Sequence, residues 1–131
     1  MTSRSARLID GANQALASAQ RDLDARDLGT GAERACVAML RLAKACLDID
    51  GMSPGPAQAV CSAYGQQFGQ SGRMYSAYFR WLLDAADLRR AAGSDIAAAI
   101  DYEAVATVVE RAEIFRDATT RYVARSGRWP T

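Results

Sequence analysis

The sequence predicts an all-helical protein, and three observations predict it. Apolar residues recur three and four apart over long stretches, which gathers them on one face of a helix. No segment alternates apolar and polar residues for the length of a strand. Breakers stand at Gly29, at Gly51 to Pro56, at Gly69 to Gly72 and at Gly93, and they cut the chain into helix-length pieces. The simplest arrangement is an up-and-down bundle of four main helices with a short additional one. A chain of 131 residues makes this a single domain, over residues 1–125, with a flexible tail at 126–131.

The first helix is expected over Met1 to Asp27, with Ser3 or Ser5 as cap and a thin stripe of Leu8, Ala12, Ala15 and Leu23. Leu28-Gly29 ends it. Thr30 and Glu33 have capping-box spacing, so the second helix is expected to open with Thr30 as N-cap. This helix is the most apolar, and a face as wide as Cys36, Met39, Leu40, Leu42, Cys46 and Leu47 predicts burial against more than one neighbour. Gly51 closes it. Ser53-Pro54-Gly55-Pro56 is a connector, and Pro56 suits a first helical turn. Val60, Tyr64 and Phe68 mark a third helix ending at Gly69 or Gly72, where glycine permits the positive φ of a sharp corner. A fourth helix runs from Met74 to Ala92 with Tyr78, Trp81, Leu82, Ala85 and Leu88 inward, and Arg89 falls in line with that stripe. Asp95 to Ile100 reads as a short alanine turn or a mobile loop. The last helix starts at the cap Asp101, with Ile100 and Val105 as staple, and its stripe is Val105, Val108, Ala112, Phe115, Thr119 and Tyr122.

Composition excludes several functions. A formal net charge of +1 supplies no bulk field toward nucleic acid or membrane, leaving only local patches. Cys36, Cys46 and Cys61 are odd in number and lack a C-x-x-C pair, so neither a disulfide framework nor a zinc site is expected and the cytoplasm is the natural compartment. No stretch reads as a signal peptide, and no apolar run approaches the ~20 residues that span a bilayer. The chain has no histidine, which removes the commonest general base near neutral pH and the commonest metal ligand. Asp48 and Asp50 lack neighbouring ligands and read as a solvated turn, so no metal or cofactor is expected. Arg73 and Arg80 interleave with Tyr75, Tyr78, Phe79 and Trp81; such rings stack bases when exposed, but at helical spacing they more often pack. A thin first-helix stripe and a broad aromatic fourth helix predict a homodimer, with Tyr78, Trp81, Leu82 and Ala85 as interface candidates.

The order of short motifs resembles the HEPN domain in its small stand-alone prokaryotic form. Arg34-Ala35-Cys36-Val37-Ala38-Met39 stands where that family writes an arginine, an alanine, two tyrosines and an alanine. Leu47 to Gly51 matches its helix exit, and Ala63 to Phe68 followed by Ser71-Gly72-Arg73-Met74 matches its third-helix ending and corner. Leu88-Arg89 to Ser94 occupies its catalytic motif, and Glu110 to Phe115 matches its final-helix run. The resemblance implies a helical bundle pairing two-fold, with an arginine and a histidine from each copy lining one cleft of a metal-independent ribonuclease. Many such proteins are toxins with a nucleotidyltransferase-type partner; others bind nucleotides or RNA without cutting. This chain departs at the motif itself. Arg89 holds the arginine position and Arg90 follows, but Gly93, Ser94 and Asp95 supply no histidine, and Cys36 and Val37 replace the tyrosines. The expectation is a degenerate dimeric module that binds a nucleotide, RNA or a protein partner, with Arg89, Arg90 and Arg34 as anion-binding candidates and no catalytic residue. The alternative is an active ribonuclease in which Asp87 or Asp95, with a shifted pKa, does the proton transfer.

Overall fold

The most apolar segment of the sequence becomes the axis of the structure. In the computed structural model, which describes residues 3–94 and 100–126, the helices are α1 (Arg4–Asp24), α2 (Leu28–Ile49), α3 (Ala57–Phe68), α4 (Ala77–Ala92) and α5 (Tyr102–Arg125). The fold is all-helical, and no strand occurs among the described residues. Every other helix packs on α2. Its Ala35, Ala38, Met39, Leu42, Ala43 and Leu47 are wholly buried, and beyond its first turn a strip through Glu33, Arg34, Val37, Arg41, Lys44 and Asp48 reaches the surface. Asp95, Gly127 and Pro130 lie outside the described residues, as does the expected tail beyond Ser126.

The helix ends show which local signals prevail. Ser3 is the cap of α1, its hydroxyl accepting from the Ala6 amide at 3.1 Å. Ser5 instead lies buried and donates to Asp48 Oδ2 at 2.8 Å. The first helix stops at Asp24, earlier than the expected Asp27, because Arg26 takes a left-handed φ of 61° and turns the chain. Its guanidinium steadies that turn by donating to the Leu23 carbonyl at 3.1 Å and lying 4.2 Å over the Tyr102 ring. Consequently α2 opens at Leu28 and the expected capping box does not form. The Gly31 amide bonds the Asp27 carbonyl at 3.0 Å, so Thr30 is already inside the helix and Glu33 is released to other work. The C-terminus of α2 behaves as expected. Gly51 sits at φ 80°, and Met52 N–H reaches back to the Leu47 carbonyl at 2.9 Å in a Schellman closure.

In the corner between α3 and α4 the positive φ belongs to Gly72, at 77°, while Gly69 stays right-handed. The fourth helix begins at Ala77 rather than Met74, and Met74 is buried under the corner. Asp101 caps α5 as expected, accepting from Ala104 N–H at 2.8 Å. Val105, Val108, Ala112, Phe115 and Thr119 are buried along its stripe, with Tyr122 half-buried at its end.

An aromatic column runs through the core from α3 to α4. Tyr64 stacks on Phe68 with centroids 5.0 Å apart and meets Phe115 edge-on at 5.6 Å, and Phe115 lies 5.2 Å from Tyr78. The Tyr64 hydroxyl is buried with no hydrogen-bond partner, and burial pushes its pKa up. An unsatisfied buried hydroxyl costs about 1–3 kcal/mol, whereas the ring stacking survives its removal. Tyr64→Phe is therefore expected to leave thermal stability unchanged or raise it, as read by the melting temperature; a drop of several degrees would reveal a partner for that hydroxyl.

Candidate functional site

The site is built from the last turn of α4, the first turn of α3 and one flank of α2. Arg89 and Arg90 are neighbours in sequence, so their side chains leave α4 about 100° apart. Arg89 reaches α2, where its guanidinium lies 3.8 Å from Glu33 Oε1. Arg90 stays on α4 and pairs with Asp87 one turn back. Between the three helices are two adjoining hollows. One, of about 480 Å³, includes Gln58, Cys61, Ser62, Phe79 and Leu83; the other, of about 580 Å³, includes Cys36, Leu40, Arg89 and Gly93. Ala57, Ala86 and Arg90 border both, and the two alanines leave the seam open.

The seam is also where α3 begins. Pro56 precedes the helix and no side chain caps its first amides, and Ala57 of that first turn borders both hollows with Arg90. Open first-turn amides and the positive end of a helix dipole favour an anion. The two cysteines at the cleft do not supply a base. Burial pushes the Cys36 thiol up, and the Arg89 guanidinium beside it opposes that without overcoming it. Burial likewise raises Cys61 against the pull of Arg90.

The other sequence candidates are placed elsewhere. Arg34 lies on the opposite flank of α2, donating to both carboxylate oxygens of Asp22 at 3.0 and 3.1 Å. Asp87 is engaged with Arg90, and Asp95 lies outside the described residues. Tyr78, Leu82 and Ala85 are buried in the core of the single chain, so of the four interface candidates only Trp81 presents surface. Its ring has exposed Tyr75 edge-on at 6.3 Å and the Arg111 guanidinium at 5.4 Å. No three cysteine, aspartate or glutamate residues converge as a metal site among the described residues, and no described helix is long and apolar enough to cross a membrane. No protein-family model and no curated protein matches the chain.

Two features that hold the cleft in shape are less visible in the sequence. At Gly65 a Cβ would lie 2.5 Å from Phe79 Cζ, so the glycine is what lets α3 and α4 close together beside the cleft. The second is a polar hub on Asp50. Its Oδ2 accepts from Gln67 at 2.9 Å and from Arg73 at 2.9 Å, and its Oδ1 accepts from the Tyr122 hydroxyl at 3.2 Å. Arg73 also donates to the Gln67 carbonyl at 2.8 Å and lies over the Phe68 ring at 4.6 Å. The carboxylate read from sequence as part of a solvated turn is thus the tie between α2, α3, the corner and α5. A tyrosine at the end of an apolar stripe was the signal for it, because such a hydroxyl needs a partner.

Burial works against the Asp50 carboxylate, and the hydrogen bonds from Gln67, Arg73 and Tyr122 outweigh it, holding its pKa below the usual value. A depressed folded-state pKa contributes stability that is complete above the unfolded value near 4 and lost as pH falls through the folded value. Asp50→Asn is expected to cost about 1.5–3 kcal/mol at neutral pH and to flatten the loss of stability below about pH 4. Urea melts of both proteins across pH 2–7 check this; parallel curves would remove Asp50 from the acid transition.

Proposed function

We propose that this chain is a HEPN-like helical module that binds the phosphate of a nucleotide or RNA between Arg89, Arg90 and the open start of α3, and does not cleave it. The observation that carries the reading is the meeting of two guanidiniums with uncapped helix amides at one cleft. Guanidinium and phosphate match in bidentate geometry, and the amides add donors without side-chain entropy. The 3.8 Å contact of Arg89 with Glu33 joins two solvent-exposed side chains, and pairs of this kind contribute about 0–1 kcal/mol, so a phosphate displaces it. Apolar Leu40, Leu83 and Phe79 offer room for a base or sugar beside the anion. Binding without cleavage is supported by the raised thiols at the cleft, which supply no base. General acid–base groups contribute about 10²–10⁴-fold, and their loss leaves binding without turnover. In this reading two copies pair across the Tyr75–Trp81 edge.

Fluorescence anisotropy with a labelled nucleoside monophosphate and a short RNA tests this. Saturable binding is expected, weakened about tenfold or more by Arg89→Ala or Arg90→Ala and tightened a few-fold by Glu33→Gln, with the RNA intact on a gel after binding. Binding indifferent to both arginines would overturn the reading. Rapid cleavage that Arg89→Ala abolishes would replace it with the ribonuclease alternative.

A further inference from the structure

A second basic feature lies on the opposite flank of α2 and does not depend on the cleft. Arg4, Arg7, Leu8, Gly11 and Gln14 of α1 and Arg41 of α2 enclose a groove of about 390 Å³, with three guanidiniums and no carboxylate on its walls. A neighbouring hollow of about 420 Å³ continues it past Gln14 and Arg41 to Ser18, Thr30 and Arg34. From Arg4 to Ser18 is about 21 Å along the helix at 1.5 Å per residue.

Two features of this arrangement work against stability. Arg4 and Arg7 stand in the first turn of α1, which carries no acidic residue, so their charge opposes the helix dipole, and Asp10 follows one turn after Arg7. Gly11 sits mid-helix, where glycine is unfavourable relative to alanine. The structure shows what the glycine permits. A Cβ there would come within 3.3 Å of Arg41 Cδ, and without it Arg41 lies across α1 and donates to the Gly11 carbonyl at 3.0 Å. That bond uses one guanidinium nitrogen and holds the group over the groove. Arg4 has only a 3.6 Å contact to Asp48, whose carboxylate is also held by Ser5. Asp22, bonded to Arg34, and Glu33 are the carboxylates at the far end.

We propose that this groove binds the sugar–phosphate backbone of a single-stranded polynucleotide. A row of arginines along a concave track, with Gln14 and Ser18 as uncharged donors, suits successive phosphates more than a single anion. An anionic bilayer is a poorer fit, since the groove is concave and the exposed large apolar residues, Tyr75 and Ile114, belong to the α3–α4 corner and α5.

The experiment is anisotropy of labelled 12-mer ribo- and deoxyribo-oligonucleotides against the full chain at several salt concentrations. Both strands are expected to bind within about threefold of each other, because the groove reads phosphate. Arg7→Gln and Arg41→Gln are each expected to weaken binding several-fold and to lower the salt slope by about 0.7. Exposed Arg4→Gln repeats the test should Arg41→Gln fail to fold, as judged by circular dichroism. No binding by the wild type, a deoxyribo-strand that does not bind, or groove variants with wild-type affinity and slope would each overturn the proposal. Arg89→Ala measured alongside separates the two sites. If it alone weakens binding, the groove is excluded and the cleft stands; if only the groove variants do, the groove stands and the cleft keeps at most a mononucleotide, which the monophosphate titration reads separately.

Discussion

The carboxylate of Asp50 is the point on which the shape of the candidate site depends. The third helix has 12 residues and buries only Val60, Cys61, Tyr64 and Phe68. Helices this short are marginal on their own, so tertiary contacts must hold it. Asp50, at the end of α2, gathers Gln67 from α3, Arg73 from the corner and Tyr122 from α5 onto one charged acceptor. Charge-assisted bonds are roughly twice as strong as neutral ones, and here they are partly sheltered from water. The hub fixes the C-terminal end of α3, and the Gly65–Phe79 approach fixes its middle against α4. What remains open is the other end of α3, where Ala57 meets Arg90. The cleft lies beyond these two ties, where the first turn of α3 meets the last turns of α4.

The distribution of charge then separates the two faces of α2. Its net charge over the whole chain is close to balance, yet Arg89 and Arg90 gather on the α4 side and Arg4, Arg7 and Arg41 on the α1 side. Local concentration, not bulk charge, is what attracts a phosphate across a few ångströms in salt, since fields from more distant exposed charges are screened over about 8–10 Å. Glu33 stands between the two regions, touching Arg89 on one side and lining the α1–α2 hollow on the other. Its place as a shared counter-charge follows from the failure of the capping box, which would have kept it on the backbone at Thr30.

Much of the fold is legible because it rests on local rules. Ser3 and Asp101 cap helices as their residue types dictate, Gly51 closes α2, and the breadth of the α2 apolar face announces its central position. The misjudged ends are those where a distant contact decides. Arg26 adopts a conformation usual for glycine because its side chain is held by Leu23 and Tyr102, and that displaces the N-cap of α2 from Thr30 to Asp27. The stripe of α4 places Arg89 alone; Arg90 and Arg34 join it through motif order, and the structure sets Arg90 beside Arg89 and Arg34 on the other flank of α2. Asp50 reads as a solvated turn in the sequence because its partners come from positions 67, 73 and 122, and no periodicity joins residues so far apart.

The central claim is that an anion lodges where α3 begins, between the two arginines of α4. A ¹⁵N–¹H correlation spectrum recorded during titration with a nucleoside monophosphate reads that location residue by residue. The account predicts that the backbone amides of Gln58 and Ala59 and the side-chain signals of Arg89 and Arg90 move first and furthest, on a single saturable curve. Saturable binding that leaves the first turn of α3 and both arginines unmoved would contradict it.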